Sequence, residues 1–206
     1  MTSIPLGPVR LTADLDVPAD ATGVVVFAHG SGSSRLSPRN RFVAGRLRGS
    51  GLGTLLFDLL TDAEAADRAN VFDIPLLAGR LAGAIGWLRE RDEAAGLPIG
   101  CFGASTGAGA ALWAAAEPDS GIAAVVSRGG RPDLARERLP EVTAPTLFVV
   151  GGADMVVLDL NREAQALLGG PNRLAVVPGA SHLFEEPGTL EAAADLAADW
   201  FSEHLR

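Results

Sequence analysis

The sequence contains no lysine and no tyrosine. All 17 basic residues are arginine, which excludes Schiff-base chemistry, a phosphate-binding P-loop lysine and any tyrosine acid or hydroxyl donor. A single cysteine, Cys101, permits no internal disulfide. There is no Cys/His cluster and no H-E-x-x-H, so neither a structural nor a catalytic metal is expected. No apolar run approaches the about 18 residues of a membrane helix, and residues 1–5 lack the basic and apolar blocks of a signal peptide. The expectation is a soluble cytoplasmic protein. With a net charge of -8 it has little to offer a phosphate backbone, so nucleic acid is not an expected partner, and without a long apolar run neither is a membrane.

What is present suits one globular domain over residues 1–206, with 48% hydrophobic and 20% charged residues. Six short apolar runs punctuate the chain, at residues 24–28, 54–58, 99–102, 123–126, 146–150 and 174–177. Strands apolar on both sides belong to a parallel sheet covered by helices on each face, an α/β architecture. The intervening segments read as those helices. Residues 73–91 carry a leucine-rich stripe, 106–116 are small and apolar all round, 161–168 form a short helix, and Thr189 is placed to cap a last amphipathic one. Residues 9–17 alternate like an exposed antiparallel edge strand.

Gly103-Ala104-Ser105-Thr106-Gly107 is G-x-S-x-G, directly after a predicted strand and opening a predicted helix. A serine at such a turn is strained, and glycines two residues to either side let strand and helix approach without Cβ clashes. Its hydroxyl projects from the carboxyl edge of the sheet, where open α/β folds bind ligands, and the helix N-terminus favours negative charge developing there. Ser105 is therefore the candidate nucleophile. Cys101, inside the preceding strand, reads as packing.

A serine needs a base to take its proton, and three histidines are available. His182 lies on the last strand-to-helix connection, at the same carboxyl edge; His29 ends the first strong strand and reads as a loop brace; His204 is near the C-terminus on the last helix. His182 is the candidate base. Asp154, reached from strand 146–150 through Gly151-Gly152-Ala153, is the leading candidate for the carboxylate that orients it. Asp133, reached from the preceding strand through Ser127-Arg128-Gly129-Gly130, is an open alternative. Asp159 reads as a first-turn residue of the following helix.

The loop His29-Gly30-Ser31-Gly32 is placed to supply one backbone N–H to an oxyanion, beside the N–H of the residue after the nucleophile. That predicts Ser31 and Thr106 as the oxyanion hole. A dinucleotide-binding turn fits poorly: Arg35 occupies the third glycine position in this loop, and Gly49-Ser50-Gly51-Leu52-Gly53 precedes a strand instead of following one. Arg35, just past the loop, and Arg128, at the end of a strand, are candidate substrate-binding residues, since arginine pairs bidentately with carboxylates and phosphates.

Together, His29-Gly30-Ser31-Gly32, the serine turn, Val126-Ser127-Arg128-Gly129-Gly130, Gly151-Gly152-Ala153-Asp154 and Gly179-Ala180-Ser181-His182-Leu183-Phe184 make the whole chain resemble the compact bacterial α/β-hydrolases of the dienelactone-hydrolase-like group. The resemblance implies a seven- or eight-stranded mostly parallel sheet, no cofactor, and hydrolysis of small ester substrates. No cap domain is implied either, since 131–145, where relatives insert one, is too short, which leaves 59–73 as the only candidate for a partial lid. It also implies the chain order Ser105, Asp154, His182. Dienelactone hydrolases proper use a cysteine nucleophile where this chain has Ser105, which points away from dienelactone and towards ordinary carboxylic esters. Thioester, lactone or acyl-transfer chemistry on the same residues, and a non-catalytic ligand-binding protein, are the alternatives. Monomer and homodimer are both compatible with the sequence.

Overall fold

The computed structural model describes residues 1–206. Its centre is an eight-stranded sheet of β1 (Thr2–Leu6), β2 (Val9–Asp16), β3 (Val24–Ala28), β4 (Gly53–Phe57), β5 (Ile99–Ala104), β6 (Ile122–Arg128), β7 (Thr146–Gly151) and β8 (Asn172–Val177), in the order β1-β2-β4-β3-β5-β6-β7-β8. The six apolar runs become β3 to β8, all mutually parallel, while β1 and β2 pair antiparallel at one edge.

Strand β1 was not expected from the sequence. It carries Pro5, which cannot donate to a ladder and is tolerated because this is the edge strand. Its burial alternates about the fully buried Ile4, but five residues that include a proline and only two large aliphatic side chains are too short a run to stand out.

The helices lie on both faces. Helices α1 (Pro38–Gly49) and α7 (Thr189–His204) pack over one face against Val25, Phe27, Phe102 and Val126. On the other, α4 (Ile74–Arg89) and α5 (Thr106–Ala115) cover Val24, Val26, Cys101 and Val125. Successive residues of β3 thus feed opposite cores, which explains why the run is apolar without alternation. Between α1 and α4, the 59–73 stretch contains two single-turn helices, α2 (Asp62–Ala65) and α3 (Arg68–Val71). The connection from β6 to β7 holds a 3-10 segment, Pro132–Glu141, that packs on α5, and no cap is inserted.

Helix α6 (Met155–Leu167) begins six residues before the expected start at Asn161. Its buried stripe is Val157, Leu158, Asn161 and Ala164, whereas Met155 and Val156 in its first turn are exposed. Four consecutive apolar residues hide that helical stripe. Thr189 is not the cap of α7: Gly188 holds that place at φ 81°, and the Thr189 hydroxyl donates to the Glu186 carbonyl at 2.7 Å. No helix is long and apolar enough to cross a membrane.

Candidate active site

Ser105 sits between β5 and α5 with φ 51° and ψ −122°, a conformation that costs a non-glycine residue of order 1–3 kcal/mol and persists only where the surroundings enforce it. The surroundings here are two glycines. A Cβ on Gly103 would collide with the Ala108 backbone, and one on Gly107 with the carbonyls of Ala28 and His29. Strand, turn and helix are therefore pressed together around the serine, and its N–H is fixed by donation to the Arg128 carbonyl at 3.2 Å.

His182 occupies the loop between β8 and α7. Its Nε2 lies 3.3 Å from Ser105 Oγ and its Nδ1 2.7 Å from Asp154 Oδ2. A carboxylate at Nδ1 requires the proton there, which leaves Nε2 to accept from the serine hydroxyl. Backbone bonds tie the loops together: Gly152 N–H donates to Val177 O at 2.8 Å and Ala153 N–H to Ala180 O at 2.9 Å. The histidine loop is braced by the Ser181 N–H donating to Glu186 at 3.0 Å, a bond that draws the Glu186 carboxyl below its ordinary pKa. It is anchored by Phe184, fully buried at φ 56°.

The other acids are engaged elsewhere. Asp133 accepts two hydrogen bonds from Arg131, at 2.8 and 2.7 Å, and Asp159 is exposed and pairs with Arg162 within α6. Asp154 is the acid that the fold brings to His182. His29 spans the oxyanion loop and the end of β4: Nδ1–H donates to Gly30 O at 3.0 Å and Nε2 accepts from the Leu59 N–H at 3.1 Å. Desolvation holds its pKa below the ordinary histidine value, so the neutral form persists. Burial pushes the Cys101 thiol up to about 12, which makes it inert beside the serine turn.

Thr106 opens α5, where its N–H has no intrahelical acceptor. The Ser31 N–H reaches the same corner, but it donates to Thr106 Oγ1 at 2.8 Å. This contact was not expected; a hydroxyl-bearing residue directly after the serine is its only trace in the sequence. Beside it opens a cavity of about 330 Å³, lined by Ser31 and Thr106 and, on its apolar part, by Leu36, Leu59, Leu60, Ala65, Val71 and Leu77. Leu59, Leu60, Asp62, Ala65 and Val71 come from the 59–73 stretch, so the segment expected as a partial lid lines a side of the pocket.

The two arginines differ sharply. Arg35 lines the cavity, yet its guanidinium lies 3.3 Å from Asp58 and 3.4 Å from Asp14, so it ties the loop to the sheet. Arg128 is 6% exposed and forms no ion pair; its Nε has no hydrogen-bond partner, and its guanidinium carbon stands 5.5 Å over the Phe184 ring. Burial, and then repulsion from Arg39, lower its pKa to about 10, which leaves it charged at neutral pH.

A mostly parallel sheet with antiparallel edge strands, and a strained serine within hydrogen-bonding reach of a histidine–aspartate pair, define an α/β-hydrolase. The chain superposes on the crystal structure of dienelactone hydrolase from Anabaena variabilis with a TM-score of 0.96 and 55% identity, covering 100% of this chain and 97% of that one. The chain belongs to the dienelactone hydrolase family. Est1E from Butyrivibrio proteoclasticus shares the fold at a TM-score of 0.84 and 16% identity, covering 98% of each chain. So does a cold-adapted esterase from an Arctic intertidal metagenomic library, at 0.76 and 20%, covering 100% of this chain and 93% of that one. Two Mycobacterium tuberculosis proteins, provisionally named phosphoribosyl transferases, are 63% identical over 199 residues; these are 97% of this chain and 45% of the length of those relatives. No protein-family model matches the chain.

Proposed function

We propose that the chain hydrolyses small carboxylic esters through an acyl-enzyme on Ser105. The observation that carries this reading is the continuous chain Ser105 Oγ, His182 Nε2, His182 Nδ1, Asp154 Oδ2, with spacings of 3.3 and 2.7 Å. Ser105 Oγ bonds to the ester carbonyl carbon as its proton passes to His182 Nε2; Asp154 holds the tautomer and stabilises the imidazolium. The oxyanion forms at the N-terminus of α5, where the Thr106 N–H is directed. Collapse breaks the ester C–O bond and the alcohol leaves with the His182 proton. Water then repeats the sequence, and another acceptor in its place gives acyl transfer. The cavity beside Thr106 accommodates a short acyl chain, and the absence of a cap leaves the site open to soluble substrates.

A fluorophosphonate should label Ser105, as located by peptide mapping, and Ser105→Ala should abolish p-nitrophenyl ester turnover. Turnover unchanged in Ser105→Ala refutes the reading; an unlabelled, inactive wild-type protein favours a ligand-binding role.

One observation favours a narrower substrate. Arg128 is a buried guanidinium without a counter-ion on the strand beside Ser105, and an ester bearing a carboxylate or phosphate would supply the missing partner.

A further inference from the structure

The hydrogen-bond inventory at the start of α5 conflicts with an oxyanion hole made of two free backbone N–H groups. Ser31 N–H already donates to Thr106 Oγ1, at a normal 2.8 Å. An amide proton given to that oxygen is not free for a substrate. A hydroxyl has two acceptor positions and one proton of its own. The Thr106 proton has no acceptor within the chain, although the residue is only 4% exposed. The same residue carries the free helix-terminal N–H, and its Oγ1 and amide nitrogen are separated by only three bonds. Both therefore serve one corner of the site, beside the cavity that Thr106 and Ser31 help to line.

We propose that the Thr106 hydroxyl is itself an oxyanion-hole donor, oriented and polarised by Ser31. The inference rests on the ester-hydrolase reading above. As Ser105 Oγ bonds to the carbonyl carbon, the carbonyl π pair moves onto oxygen. That oxygen accepts hydrogen bonds from Thr106 N–H and from Thr106 Oγ–H. Ser31 N–H, donating to the far side of the hydroxyl, makes it a stronger donor, since hydrogen bonds in a chain polarise one another. When the tetrahedral intermediate collapses, the pair returns to re-form the carbonyl and the proton stays on Thr106. Ser31 is thus a positioning residue, and the hydroxyl of Thr106 a catalytic one.

The test compares Thr106→Val, which keeps the branched shape, Thr106→Ala and Thr106→Ser on a p-nitrophenyl ester, with phenylboronic acid as the probe of the tetrahedral state. Loss of one oxyanion donor typically costs about 10²–10³ in kcat; with the N–H of Thr106 retained, a fall of roughly 10- to 100-fold is expected for Val and Ala. KM should change little, boronate affinity should drop in parallel, and Thr106→Ser should recover most of the activity. Circular dichroism and thermal unfolding establish that each variant is folded, and if Val disturbs the helix start, Ala decides.

Val or Ala variants with wild-type or higher kcat would overturn the proposal: the hydroxyl would then merely fill the hole, with Ser31 N–H the donor once it leaves. Failure of the underlying reading looks different: either Ser105→Ala would keep its ester turnover, or the wild-type protein would show none, whatever Thr106 does.

Discussion

Nδ1 of His182 stands 2.7 Å from Oδ2 of Asp154, the shortest link in the chain of atoms that runs to Ser105. Asp133, its rival from the preceding strand, is held in a two-point grip by Arg131. Asp154→Asn would leave the wrong imidazole tautomer facing the serine. It should lower kcat by roughly 10³- to 10⁴-fold with KM little changed. Asp133→Asn should leave ester turnover within about twofold and cost about 1 kcal/mol or less, because the pair it breaks is partly solvated. Steady-state kinetics and urea unfolding on both variants check this; a large kinetic loss in Asp133→Asn with Asp154→Asn near wild type would assign the acid's role to Asp133.

Sequence alone ranked Asp154 first but left Asp133 open. Each follows a strand of the same sheet through a glycine-containing turn. What distinguishes them is an arginine two residues before Asp133 that bends back to bind it, a side-chain choice with no periodic signature. The parallel strands, in contrast, were plain, because residues buried on both faces leave uninterrupted apolar runs such as Val24 to Ala28. Ser105 was plain for a related reason: Gly103 and Gly107 are demanded by backbone contact, and that demand survives in the sequence. That Ser31 and Thr106 meet was legible too, but the bond from the Ser31 N–H to the Thr106 hydroxyl was not, because a side chain's choice of partner leaves no periodic signature.

The pocket makes a prediction about chain length. Val71, on the single-turn helix α3, lines the cavity wall. Val71→Phe adds volume without touching the candidate triad. It should lower kcat/KM for a p-nitrophenyl hexanoate at least tenfold while changing that for the acetate less than threefold. A uniform loss on both esters would place the acyl chain outside this cavity.

His29 should make stability depend on pH. Its folded-state pKa is lowered, chiefly by desolvation. Between the ordinary histidine value of about 6.5 and the lowered one, the unfolded chain binds a proton that the folded chain refuses. Stability should therefore be full above about pH 6.5 and decline as pH falls through that window. His29→Gln removes the titrating group. It should be less stable at pH 7.5, through loss of the bonds to Gly30 and Leu59, yet show a shallower decline between pH 7.5 and 5.5. Urea unfolding at several pH values measures both slopes, and parallel slopes would contradict the assignment.

Arg128 offers the sharpest test of substrate charge, because its stability and activity effects are expected to diverge. Removing one member of a buried ion pair is usually costly, since the other charge is left stranded. Here there is no other member: Arg128 makes no ion pair, and its stacking on Phe184 is worth about 0.5–2 kcal/mol. Relief of a desolvated charge offsets that stacking, so Arg128→Met should unfold within about 1 kcal/mol of wild type. If the guanidinium recognises an anionic substrate group, the variant should lose at least tenfold in kcat/KM on a p-nitrophenyl half-ester carrying a free carboxylate. Turnover of the neutral p-nitrophenyl butyrate should hold within threefold. A loss common to both esters would assign Arg128 to shaping the Ser105 turn through its backbone neighbours, and equal retention would leave the cation as packing beneath the histidine loop.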